Sequence, residues 1–165
     1  GDLRFHLMVH EYASDPSRSE RVTSHWHEEY ELLYLTEGTG TAHVNGRSLP
    51  VSAGDILFFS SGEVHSISAP LGLPLTFYAV VFGLELISSY GNDDIQQKYI
   101  HRQTSGELLF QTFFPPDAPP YQELCSSLEA IRALYQEDFS SHELIPVSCS
   151  QKKSSGSFRS ITALS

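Results

Sequence analysis

Asn45-Gly46, set between the short segments Gly40 to Val44 and Ser48 to Val51, commits this stretch of chain to a β-hairpin. Both residues tolerate the positive φ that a tight type I′ turn demands, and the flanking segments alternate in polarity as strands do. Further turn signals stand at Glu37-Gly38 and Ala53-Gly54-Asp55, with short strand-like segments around them: Phe5 to His10, Glu31 to Thr36, Ile56 to Ser60, His65 to Ser68 and Thr76 to Phe82. Glu11 to Arg21 reads as a polar loop. Many short strands at regular spacing predict a sandwich or closed barrel rather than a parallel sheet. The 10 Phe and 8 Tyr suit such a fold, because flat side chains cover pleated surfaces.

After residue 83 the pattern changes. Leu84 to Tyr90 predicts one or two helical turns stopped by Gly91-Asn92-Asp93. Phe113-Phe114-Pro115-Pro116 through Pro119-Pro120 reads as a connector without regular structure, since proline lacks a donor and restricts its predecessor. Tyr121 to Phe139 then predicts a helix, with Leu124, Leu128, Ile131 and Tyr135 on one stripe and Leu134 beside it. Such a stripe seeks either the outside of the β-domain or a second subunit, and dimerisation is the reading preferred here. The chain divides accordingly into an N-terminal strand and arm (1–21), a barrel core (22–83), remaining barrel, linker and helix (84–145), and a tail (146–165). The tail holds seven serines and little apolar periodicity, and is expected to be loosely ordered.

Charge narrows the partners. With 20 acidic against 10 basic residues and a net charge of −10, this segment lacks the basic face that displaces counterions from phosphates. Cys125 and Cys149 form neither a disulfide framework nor a metal-binding spacing. No apolar run approaches the ~20 residues that span a bilayer; the longest, Leu75 to Ile87, is interrupted by Thr76, Gly83 and Glu85. No secretory signal precedes the first strand, and Gly1 reads as an expression scar. A cytoplasmic protein without membrane contact is expected.

The chemistry concentrates in His25-Trp26-His27-Glu28-Glu29-Tyr30-Glu31. Imidazoles two apart on an extended chain share a face, and Glu31 has the same parity. A straight strand would carry Glu31 about 13 Å past His27, at ~3.3 Å per residue, so convergence requires a bend near residues 28–30. Gly54 through Gly62 to His65 would bring a third imidazole from a later strand. Three imidazoles and a carboxylate suit Fe, Mn, Ni or Zn with positions left open. Three readings stand: a metal site, a metal-free pocket whose polar groups bind an effector, or buried polar residues satisfying one another. Leu33 and Leu35 share the pocket parity and would form its apolar wall, as would residues from Ile56 to Phe59, with Tyr78 or Phe82 able to reach inside. Trp26, Tyr30 and Tyr34 would face away. His43 reads as a surface or rim residue, and His6, His10, His101 and His142 as lone histidines without a role.

His25-x-His27-x3-Glu31-x6-Gly38 resembles the first cupin motif in full, and Gly54-x5-Ser60-x-Gly62-x2-His65 resembles the second, with Ser60 where proline is usual and Ala69 where asparagine is usual. The resemblance sharpens in Trp26 to Tyr34, the Asn45-Gly46 hairpin, Gly54-Asp55-Ile56-Leu57, Glu63-Val64-His65-Ser66, Phe77 to Phe82 and the Pro-linked helix with Tyr121-Gln122-Glu123-Leu124. Together these look like the N-terminal cupin domain of AraC/XylS-type transcriptional regulators, over about residues 5 to 145. That resemblance implies a mainly β, double-stranded β-helix (jelly-roll) barrel with a C-terminal helical appendix. It implies an effector-sensing and dimerisation domain, in which His25, His27, Glu31, Leu33 and His65 bind a small molecule, a sugar among the candidates. His25, His27, Glu31 and His65 would also be the ligands of one divalent transition metal (Zn, Ni, Fe or Mn), and Leu124, Leu128, Ile131 and Tyr135 would make a homodimer. Effector binding would shift the arm or the helix. DNA would be reached only through a helix-turn-helix module, which these 165 residues do not contain. After His142-Glu143-Leu144-Ile145 the family continues as helix, whereas Pro146 intervenes here; a shortened chain and a shifted reading frame both explain this. The alternative function is a metal-dependent cupin enzyme, a dioxygenase or isomerase. The altered second motif and the long helical appendix weigh against it.

Overall fold

A computed structural model describes residues 7–15, 17, 21–88, 111–140 and 159–162. His6, Tyr90, Gly91 to Asp93, His101, His142, Cys149, about half of the arm and most of the serine-rich tail lie outside them. The order is β1 (Leu7–Ala13), β2 (Arg21–His25), β3 (Tyr30–Val44), β4 (Arg47–Ser52), β5 (Ile56–Phe59), β6 (His65–Ser68), β7 (Leu75–Phe82), α1 (Leu84–Ser88), β8 (Phe113–Phe114), α2 (Tyr121–Ser140) and β9 (Arg159–Thr162).

The two segments expected at Glu31 to Thr36 and Gly40 to Val44 are one long strand, β3, that serves two sheets. Its first half pairs antiparallel with β5 and β7, and its second half with β4 and β6. The crossing point is a register shift between Leu35 and Glu37 next to Gly38, whose φ is +86°. A Cβ at Gly38 would fall on the Pro74 carbonyl oxygen, so only glycine fits where the strand passes between sheets. Asn45 and Gly46 have φ of 47° and 80°, as the hairpin reading requires. The same Asn45 side chain accepts from the Val64 amide at 3.2 Å and ties the hairpin to the segment leading into β6.

The architecture is the expected mainly β fold with a helical appendix, but among the described residues the barrel is not closed by hydrogen bonds. The hydrogen-bonded order β2-β6-β3-β7-β1-β9 has two ends. Local strand and turn chemistry specifies pairing between neighbours; nothing in it forces the last strand onto the first. Two further expectations change. Phe113-Phe114, placed in the structureless connector, pairs with β5, the prolines coming only after the two paired residues. Within the tail, Arg159–Thr162 forms β9 on the edge of β1.

Two apolar clusters sandwich the β1-β3-β5-β7 sheet. Between the sheets lie Tyr12, Leu33, Leu35, Ala42, Val51, Leu57, Phe59, Ile67, Leu75, Phe77 and Ala79. On the outer face, Val9, Ile56, Tyr78 and Val80 pack against Tyr121, Leu128 and Tyr135 of α2, with Leu124 and Ile131 at the margin. Leu124, Leu128, Ile131 and Tyr135, the residues expected at a dimer interface, thus pack within the chain. The stripe is spent within the chain, Leu128 being only 1% exposed, while Leu134 beside it remains open. The Tyr121 hydroxyl donates to the Gly54 carbonyl at 2.6 Å, fixing the start of α2 to the β4–β5 turn.

Candidate metal and effector site

Strand parity delivers the site. β2 ends at His25, the chain bends through residues 26–29, and β3 begins at Tyr30, so His27 Nε2 comes to 3.0 Å from Glu31 Oε2. β6 pairs with β2 at His25↔His65, which carries the third imidazole in beside the first. Ring centroids of His25 and His65 stand 4.4 Å apart, and those of His27 and His65 5.2 Å. One ligand atom from each of His25, His27, Glu31 and His65 lies within 4.8 Å of all the others. Glu31 and His65 are buried, His27 is half-buried, and His25 sits at the open rim. Phe59 stacks flat on His65 at 4.1 Å and fixes its ring plane.

The proton positions follow from the partners. His25 Nδ1 lies 2.8 Å from the Thr23 carbonyl, His27 Nδ1 3.0 Å from that of Glu29, and His65 Nδ1 2.8 Å from that of Glu63. A carbonyl oxygen only accepts, so each Nδ1 carries the hydrogen, and each neutral ring turns an Nε2 lone pair toward the cluster. Glu31 adds a carboxylate. His65 Nε2 is buried 3.3 Å from the same Glu31 oxygen without a hydrogen bond. Lone pairs and an anion in such proximity repel unless a cation stands among them. A proton on His27 is one remedy. The hydrogen bond to Glu31 raises the His27 pKa above its ordinary value, whereas burial lowers that of His25. Burial alone would push Glu31 up, but the His27 and His65 imidazoles outweigh it and hold the carboxyl at about 2. A divalent transition ion is the other remedy, and the donors fit it: three imidazoles whose Nδ1 atoms are held by backbone carbonyls that set their tautomers, and one ionised carboxylate.

The departure at Ser60 is compensated locally. Its amide donates to the Glu63 carboxylate at 2.7 Å, a bond that proline would forbid, and Glu63 also accepts from Asn45 Nδ2 at 3.1 Å. The turn that presents His65 is thus braced by a side chain rather than by a ring.

The cluster opens into a cavity of about 320 Å³ between the sheets. Leu33 and Phe59 line it as expected, but Leu35 packs below it and Ile56 faces α2. Tyr78 turns outward, its hydroxyl pushed up to about 12 by burial, and Phe82 joins it there. Phe77, Ala79 and Val81 take the inner wall instead. Tyr34 is half-buried on the outer face, Tyr30 is buried between Phe58 and Phe82, and Trp26 is exposed. His43 is exposed and bonded to Ser48. The residue that sequence reasoning missed is His10. It lines the cavity, and burial lowers its pKa while the Glu31 charge acts the other way. Its signal was the parity of Met8, His10 and Tyr12, all on the inner face of β1.

Comparison with known proteins identifies the family. The family model of the AraC-like ligand binding domain matches residues 9–145. An oxalate-binding protein of Thermotoga maritima is 45% identical over 61 residues, 36% of this chain and 50% of that protein. The chain therefore spans half the length of this curated relative. Among solved structures, a Thermotoga maritima protein described as a predicted oxalate decarboxylase is 36% identical, with 46% of this chain and 65% of that one covered and a TM-score of 0.43. A Bacteroides fragilis cupin is 21% identical, over 48% and 67% of the two chains, with a TM-score of 0.44. The polyketide cyclase RemF of Streptomyces resistomycificus is 24% identical, over 49% and 57%, with a TM-score of 0.43. Among the described residues no helix is long and apolar enough to cross a membrane. The match over residues 9–145 covers most of the sequence, and this chain belongs to the AraC-like ligand binding domain family.

Proposed function

We propose that this domain senses a small molecule for an AraC-type transcription regulator, with His25, His27, Glu31 and His65 holding a divalent transition ion on the wall of the cavity. The observation that carries the reading is the convergence of three Nε2 atoms and one carboxylate beneath an apolar space large enough for one small molecule. The ion would supply a Lewis-acid seat for an oxygen donor. The chain's own residues orient the imidazoles through Thr23, Glu29 and Glu63, and exclude water with Leu33, Phe59 and Phe77.

Transmission runs through β1. Met8 and His10 line the cavity, while the intervening outward residues lead to Glu11, which accepts from Arg132 at 2.8 Å and from Gln136 at 3.1 Å on α2. A ligand that displaces His10 moves the strand that α2 grips. Dimerisation, in this reading, uses surface other than Leu128 and Tyr135, such as the face bearing Leu134.

Native mass spectrometry of the purified protein tests the proposal. A metal and a small-molecule mass are expected on the wild-type chain and absent from the His27→Ala/Glu31→Ala variant, which keeps its circular dichroism. A ligand mass undiminished in the variant removes the cluster from the mechanism. The complete donor set also favours a metal-dependent enzyme as second reading. Conversion of oxalate and a proton to formate and carbon dioxide by the metal-loaded domain would favour it over sensing.

A further inference from the structure

We infer that the ligand is a small monocarboxylate with an apolar body, bound head-first at the histidine–glutamate cluster, rather than a sugar or a dicarboxylate. The inference rests on the metal reading above and adds charge balance and wall chemistry to it.

Charge comes first. Among the described residues that line the cavity there is no lysine or arginine. The positive charge available is that of the bound ion, less the negative charge of its ligand Glu31 and of Glu29, the other carboxylate on the lining, 3.7 Å from His27 Nδ1. A divalent ion therefore leaves at most a single positive charge. A monoanionic head cancels it, whereas a dianion leaves a net negative charge in a buried space without a counter-ion, which is costly.

The walls come second. Met8, Leu33, Phe59, Phe77, Ala79 and Val81 form an apolar surface around the remaining space. The imidazoles of His25, His27 and His65 spend Nδ1 on backbone carbonyls and Nε2 on the centre. That leaves His10, Glu29 and Ser66 as the other polar residues on the lining, too few for the ring of hydroxyls on a pentose or hexose. Each hydroxyl buried without a partner costs roughly ten- to hundredfold in affinity. A methylene chain or an aromatic ring has no such requirement, and each methylene moved from water to these walls gains about fourfold. The cavity volume of about 320 Å³ is near the lower end of ligand pockets, roughly 300 to 1,000 Å³, and suits one short molecule.

Calorimetric titration of the zinc-loaded chain with acetate, butyrate, hexanoate, benzoate, oxalate and arabinose tests this, with zinc content measured before and after each titration. Butyrate is expected to bind about 15-fold tighter than acetate, and both butyrate and benzoate tighter than oxalate or arabinose. Tighter binding of oxalate or arabinose, a series flat in chain length, or no binding by any monocarboxylate while zinc is retained would overturn the inference and leave the metal reading standing. A chain that never takes up zinc would overturn both.

Discussion

Along β7 the side chains alternate between two environments: Phe77, Ala79 and Val81 face the cavity, while Tyr78 and Val80 face α2. β1 and β3 divide in the same way, with His10 and Glu31 inward and Val9 and Tyr34 toward the helix. The outer face is filled with interlocked apolar groups. The inner face is filled only at the end occupied by Tyr12, Leu35 and Leu75, and is hollow where the imidazoles gather. The same strands thus buy stability on one side and hold a binding site on the other, and substitutions on the two faces should separate.

The largest effect is expected from Leu128→Ala on the outer face. Deleting a buried leucine side chain and leaving a cavity costs about 2–5 kcal/mol, read by chemical denaturation. Metal affinity of the folded fraction should stay unchanged; loss of both together would break the comparison. On the inner face, His65→Ala should weaken zinc binding by more than about 100-fold in a chelator competition, since losing even a group that only orients a metal ligand costs roughly 10- to 100-fold, while the denaturation midpoint of the metal-free protein moves far less than in Leu128→Ala.

The metal-free protein should also show the Glu31–His27 pair in its pH dependence. Glu31 falls from its ordinary 4.5 to about 2, so its contribution to stability is complete above pH 4.5 and is lost as the pH drops toward 2. His27 is raised above 6.5, so its contribution is complete below pH 6.5 and is lost as the pH rises through the raised value. The contribution of this pair is therefore expected to plateau between these limits, while the lowered values of His10 and His25 cost stability as the pH falls below 6.5; Glu31→Gln should flatten both shoulders of the pair, and shoulders unchanged in that variant would show that another pair produces them. The smallest effect is expected at Arg132→Ala. The side chains of Arg132 and Glu11 are 38% and 42% exposed, so their ion pair contributes no more than ~1 kcal/mol even with Arg132 resting 4.6 Å over the Tyr78 ring. A large loss of stability there would mean that α2 is held by its charges rather than by Leu128 and Tyr135.

Much of the inner face was legible in the sequence because parity and turn chemistry are local. His25, His27 and Glu31 share a parity, the separation of His27 from Glu31 demanded a bend, and Asn45-Gly46 fixed the hairpin that sets the β3–β4 register. His10 was not legible as a site residue because it stands alone in sequence, and only the pairing of β1 with β7 brings it to the cavity. The apolar stripe on α2 was visible, yet what covers it is a long-range matter; a helix face looks the same whether it meets Val80 and Tyr78 or another subunit. Closure of the barrel was likewise a statement about edges, which no local pattern encodes. Phe113-Phe114 was hidden by the prolines that follow, although proline restricts its predecessors to the extended backbone that a short strand uses.

The account stands on three Nε2 lone pairs and one carboxylate sharing a cation. Loading the chelator-treated chain with zinc, desalting it and measuring zinc by elemental analysis tests this most directly. One ion per chain is predicted for the wild type and none for Glu31→Ala/His65→Ala; a wild type that retains no zinc, or a variant that retains a full equivalent, would contradict it.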